Sequence, residues 1–103
     1  MKHFSDITES AERVVDAAQD LLQQHGYNGF SYDDISRVIG IKKPSIHHHF
    51  PTKSELVAVV VQRYTHRFGE QLAAIALRNL SPARRLVAYA ALFEATYKRD
   101  RRV

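Results

Sequence analysis

Two glycines and a proline, Gly26, Gly40 and Pro44, set the tightest limits on what this chain can fold into. A glycine with positive φ ends a helix at little cost, and proline enters a helix only in the first turn, where its missing N–H is not needed. Residues 26–50 therefore hold two short helices and a turn. Before them, Ile7, Ala11, Val14, Val15, Ala18, Leu21 and Leu22 recur at spacings of three and four, the stripe of a first helix over about residues 8–25. Gly26 stops it, and Asn28-Gly29 adds a turn.

The second helix opens at Ser31, whose hydroxyl suits a cap, with Asp34 three residues on at the positive helix end. Ile35, Val38 and Ile39 are its expected inward face, and Gly40 ends it. The third segment, residues 42–50, carries Pro44 in its first turn and turns Ile46 and Phe50 inward. Lys43, Pro44, Ser45, His47 and His48 are left outward, a face with a cation and proton donors but no carboxylate. Thr52 and Glu55 form a capping-box pattern for a fourth and longest helix, whose apolar positions are Leu56, Val59, Val60, Tyr64, Phe68, Leu72 and Ile75. The pattern breaks near Asn79 and restarts at Ser81-Pro82, after which Leu86, Val87, Tyr89, Ala90, Phe93 and Tyr97 keep helical spacing. No strand pattern of useful length occurs, so the expected fold class is all-α: a three-helix helix-turn-helix unit, a long connecting helix and the start of a second helical domain. The corresponding boundaries are 1–51, 52–80 and 81–103.

A chain of 103 residues supports one modest core, and 45% apolar with 25% charged residues argues against disorder. The absence of cysteine excludes disulfides, thiolate metal sites and cysteine nucleophiles, and fits a reducing cytoplasm. The longest apolar runs, residues 56–61 and 86–93, fall far short of the roughly 20 residues of a membrane span, and residues 1–10 lack the apolar core of a signal peptide. Charge is unevenly spread: residues 1–34 carry a net −5, residues 35–60 a net +3 and residues 61–103 a net +6. A polyanion responds to such a local patch more than to the protein average.

Two short helices joined by a glycine turn, the second basic and bare on one face, are the parts of a helix-turn-helix. A major groove about 12 Å wide accepts one such helix. Lys43, Ser45 and His48, with Pro44 and Tyr32 beside them, are the candidates for base contact. Ser31, Lys42, His49, Thr52 and Lys53 are the candidates for phosphate contact.

The run Gly40-Ile41-Lys42-Lys43-Pro44-Ser45-Ile46-His47-His48-His49-Phe50-Pro51-Thr52-Lys53 closely resembles the recognition signature of the TetR/AcrR family of bacterial transcriptional repressors. Gly26-Tyr27, Phe30-Ser31, Asp34-Ile35 and Ser36 extend the resemblance upstream, and it covers about residues 8–60. It implies sequence-specific binding of double-stranded DNA, repression by occupying a promoter, a homodimer, and release by a small-molecule inducer in a full-length form. It also implies that His47 stands where an aromatic, usually tyrosine, touches a phosphate, and Lys53 where a lysine does. Three departures stand out. Lys42 replaces the usual small hydroxyl cap, His47 replaces tyrosine and makes its contact sensitive to pH near 6.5, and family members are about twice this long. The chain is accordingly expected to end in or just after the first helix of the second domain.

Competing readings are weaker. Consecutive histidines point about 100° apart and do not converge on one metal, so no metal or cofactor is expected. Asp33 and Asp34 diverge likewise, and capping explains Asp34 better than acid–base chemistry. No catalytic spacing points to an enzyme. Tyr64, Phe68, Tyr89, Phe93 and Tyr97 could line a ligand pocket but suit a core better. The charge run of residues 98–102 reads as a solvated end. The rival function is a small helical protein-interaction module, in which residues 44–50 form a loop.

Overall fold

The computed structural model describes residues 3–100, so Arg101 and Arg102 of the charge-rich end lie outside the described residues. Among the described residues there are five α-helices: α1 (Glu9–His25), α2 (Tyr32–Ile39), α3 (Lys43–His49), α4 (Lys53–Leu77) and α5 (Pro82–Asp100). Short 3-10 turns at Phe4–Asp6 and Tyr27–Gly29 flank α1, and no strand occurs among the described residues. The fold class is all-α.

Local chemistry explains the boundaries. The Thr8 side chain accepts from the Ala11 N–H at 3.2 Å to open α1, and Thr52 does the same for Glu55 at 3.2 Å to open α4. Ser81 opens α5 by accepting from the Arg84 N–H at 3.3 Å, with Pro82 at its first position. Gly26 and Gly40 have φ of 75° and 73°, and each returns its N–H to a carbonyl four residues back, Leu22 and Ser36, at 2.9 Å. At Gly40 this left-handed residue is the turn itself. The Ser36 hydroxyl fixes it by donating to the Ile41 carbonyl at 2.6 Å.

The core is drawn from the first four helices. Ala11, Val14, Val15 and Ala18 of α1 meet Ile35 of α2, Ile46 and Phe50 around α3, and Leu56, Val59 and Val60 at the start of α4. Arg63, 4% exposed, adds a polar tie: its guanidinium donates to Asp16 at 2.6 Å and to Gln19 at 2.8 Å, holding α4 against α1. Arg13 similarly donates to the Ile39 carbonyl at 3.0 Å, joining α1 to the end of α2.

Of the residues expected to pack inward, Phe93 and Tyr97 on α5 are exposed, and so is Val38 on α2. Val38 is 61% exposed, because the buried arc of α2 is set by Tyr32, Ile35 and Ile39. At about 100° per residue, Val38 lies roughly 100° or more from both Tyr32 and Ile39. Beyond Arg63 no described residue is buried. The second half of α4 and all of α5 form a hairpin in which Phe68 and Phe93 meet with ring centroids 5.4 Å apart. The radius of gyration, 16.3 Å, exceeds the roughly 13 Å of a compact chain this long, and the long axis is 52 Å.

Candidate nucleic-acid interface

α3 is two turns anchored from below. Ile46 is fully buried and Phe50 nearly so, which sends the positions between and before them outward. Lys42, Lys43, Pro44, Ser45, His47 and His48 are exposed, and His49 is half-buried. No side chain caps α3, as expected with Lys42 at that place. Its first turn is closed by backbone bonds from the Ser45 and Ile46 N–H groups to the Lys42 carbonyl, at 3.0 and 3.4 Å. Because residues 43–49 are helical, the loop that the protein-interaction reading required is absent.

Tyr32, a candidate for base contact, is largely built into the fold. Only 7% exposed, it donates its hydroxyl to the Phe50 carbonyl at 2.8 Å, tying α2 to the end of α3. Burial, with smaller contributions from the charges of Glu55 and Tyr27, pushes this phenol up to about 12, so it stays a neutral donor. Its ring instead supports His47, with centroids 4.5 Å apart. Tyr32 thus ties α2 to the end of α3 and backs the ring of His47.

A notch of about 310 Å³ lies between the start of α2, α3 and the start of α4. Phe30 and Tyr32 line it together with Asp33, Lys43, His47 and Lys53. The Lys53 ammonium donates to the Tyr27 and Phe30 carbonyls and sits 4.7 and 4.1 Å from the centroids of their rings. These partners are neutral, so the positive charge is not cancelled, and one of its three N–H donors remains. Lys43 Nζ pairs with Asp33 Oδ1 at 3.1 Å, and both side chains are about half exposed or more. This is a solvent-accessible pair, weak and easily exchanged.

Ser31 and Thr52 are exposed at the starts of α2 and α4. The Asp34 carboxylate accepts from the Ser31 N–H at 2.8 Å and pairs with Arg37. The Ser31 N–H is the main reason that this carboxyl is held below the usual carboxylate range, against an opposing effect of desolvation and with help from Arg37. Across residues 31–55 four cations face three carboxylates, a net +1.

Sequence reasoning missed two contributors, Asp33 as the partner of Lys43 and Arg63 as the bolt between α1 and α4. The first pair bridges two helices and the second residues 47 apart, so helical spacing carries no signal for either. Among the described residues no three His, Asp or Glu side chains gather to hold a metal ion, and no helix is long and apolar enough to cross a membrane. Of the five aromatics weighed as pocket or core residues, Tyr64, Phe68 and Phe93 come together, Phe68 touching Phe93. Tyr64 and Phe68 border a cleft of about 300 Å³ with Gln19, Arg67 and Arg99, while Tyr97 is exposed.

Residues 14–60 match the family model described as bacterial regulatory proteins, tetR family. The chain is 34% identical over 68 residues to the biofilm operon icaADBC HTH-type negative transcriptional regulator IcaR of Staphylococcus epidermidis, covering 66% of this chain and 35% of that protein. Among solved structures it is similar to a TetR-family transcriptional regulator from Agrobacterium tumefaciens, with a TM-score of 0.76 and 40% identity, covering 85% of this chain and 46% of that one. A TetR transcriptional regulator from Legionella pneumophila gives a TM-score of 0.77 at 33% identity, covering 90% and 49%. The chain thus spans about a third of the IcaR sequence and just under half of each solved chain.

Proposed function

We propose that this chain, whose residues 14–60 match the family model described as bacterial regulatory proteins, tetR family, binds double-stranded DNA sequence-specifically and regulates transcription, not catalysing a reaction. The observation that carries this reading is the bare outer face of α3, held out by Ile46 and Phe50. Placed in a major groove, Lys43, Pro44, Ser45 and His48 meet base edges, since lysine and hydroxyl side chains donate to guanine acceptors and proline offers an apolar contact. Ser31, Lys42, His47, His49, Thr52 and the remaining donor of Lys53 meet the flanking phosphates, which fix register without reading sequence.

Repression by occupying a promoter is the mode we favour, supported by the similarity to a negative regulator. In this reading residues 1–51 serve as the DNA-binding domain, 52–80 as the connecting segment and 81–103 as the start of a second domain. In a full-length form that domain holds the homodimer together and takes a small-molecule inducer, and the regulator acts on DNA in the cytoplasm. Paired units then read half-sites about 34 to 36 Å apart.

The test is binding to duplexes across a salt series. Several phosphate contacts require affinity to fall steeply and linearly on logarithmic axes, and Lys53→Ala should weaken all duplexes alike. An affinity indifferent to salt overturns the proposal and favours an apolar protein partner.

A further inference from the structure

The carboxylate of Asp33 stands out of place: it lines the notch that faces the proposed DNA, among Lys43, His47 and Lys53. It is 61% exposed and 3.1 Å from Lys43 Nζ, the ammonium on the outer face of α3. Closing α2 does not require it, because the neighbouring Asp34 already accepts the Ser31 N–H. A second carboxylate at this edge repels the phosphates that the surface is meant to attract, and it occupies the Lys43 ammonium, a cation on that same face.

We infer that Asp33 is a specificity-determining residue of the interface, an electrostatic brake that holds Lys43 back from indiscriminate phosphate contact. The inference rests on the DNA-binding reading above. On an arbitrary duplex, Lys43 must leave Asp33 for a phosphate while the freed carboxylate faces the polyanion, so little is gained. On the preferred duplex, Lys43 reaches guanine O6 and N7, and the surrounding contacts of Ser45 and His48 complete the match. Because both side chains are largely in solvent, the Asp33–Lys43 pair opens readily when such a partner is offered. Discrimination then comes from a repulsive element as well as from attractive ones, the usual way in which close competitors are separated.

The experiment uses the whole 103-residue chain. A preferred duplex is first selected from a random pool, and affinities for it and for a shuffled duplex of equal composition are measured over a salt series with wild type, Asp33→Asn, Asp33→Glu, Lys43→Met and the Asp33→Asn/Lys43→Met pair. Asp33→Asn is expected to raise affinity for the shuffled duplex by about three- to tenfold and for the preferred duplex by less, so the ratio between them falls. Its salt slope on the shuffled duplex should steepen by about one, the signature of one more phosphate neutralised. Asp33→Glu should behave as wild type, and the gain should shrink in the Lys43→Met background. An unchanged unfolding midpoint for Asp33→Asn confirms that the effect is not structural. Equal gains on both duplexes, no gain, or a loss on the preferred duplex that marks Asp33 as a direct reader of cytosine would each overturn the inference. If the wild type shows no salt-sensitive duplex binding, the DNA-binding reading fails first. A wild type that discriminates while Asp33→Asn matches it sinks the brake alone.

Discussion

The part of the chain up to Arg63 and the part after it are both helical and both amphipathic, yet only the first has an interior. Between Ala11 and Arg63, α1 to α4 close around Val14, Ile35, Ile46, Phe50 and Leu56, all essentially removed from solvent. After Arg63, α4 and α5 touch through Phe68 and Phe93 while Leu77, Leu86, Val87 and Tyr97 stay exposed, Leu77 at 87%. Helical periodicity tells which residues share a face. Whether that face is covered depends on a third and fourth element, and a two-helix hairpin has none.

The difference can be broken most sharply by removing matched apolar side chains from the two parts. Phe50→Ala should cost about 3 to 5 kcal/mol and abolish most of the fold, whereas Leu86→Ala should stay within about 0.5 kcal/mol. Urea unfolding followed by circular dichroism measures both, and comparable losses would mean that the second part has a core after all. Next in size, Arg63→Ala at the border removes the charged hydrogen bonds to Asp16 and Gln19 and should cost about 2 kcal/mol. Gly40→Ala puts a side chain into a left-handed residue at φ 73° and should cost about 1 to 2 kcal/mol while weakening DNA binding, since it strains the turn that aims α3. Thermal unfolding beside a binding assay separates those two effects.

The smallest effect comes from pH. Asp34 has a folded-state carboxyl below its ordinary value, so it stabilises the first part above the unfolded carboxylate range, and that contribution is lost as pH falls through the folded value. Tyr32 acts at the other end: its phenol is raised to about 12, so the stability it brings is complete below the ordinary value of 10 and is lost as pH rises towards 12. Unfolding midpoints of Asp34→Asn and Tyr32→Phe across pH should flatten the acid and alkaline limbs respectively. If neither limb changes, the capping and burial assigned to these residues are wrong.

Helix ends were legible in the sequence because each carries its own chemistry within four residues: Thr52 with Glu55, Ser81-Pro82, Gly26 and Gly40. The outward face of α3 was legible too, since Ile46 and Phe50 leave little choice of orientation. Tyr32 and Val38 were not. Both lie on α2, where an eight-residue helix fits more than one buried arc and the neighbouring helices choose among them. Lys53 was expected at a phosphate. Its bonds to the carbonyls of Tyr27 and Phe30 span 26 and 23 residues, so only the folded packing reveals them.

All of this converges on the exposed tips of one seven-residue helix. The sharpest trial is to select duplexes from a random pool with the unaltered chain, with Ser45→Ala and with His48→Ala, whose side chains stand clear of the core. A consensus that shifts at particular base pairs in each substituted chain, with overall stability unchanged, is the expected result. Identical consensus sequences from all three chains would show that α3 does not read the groove.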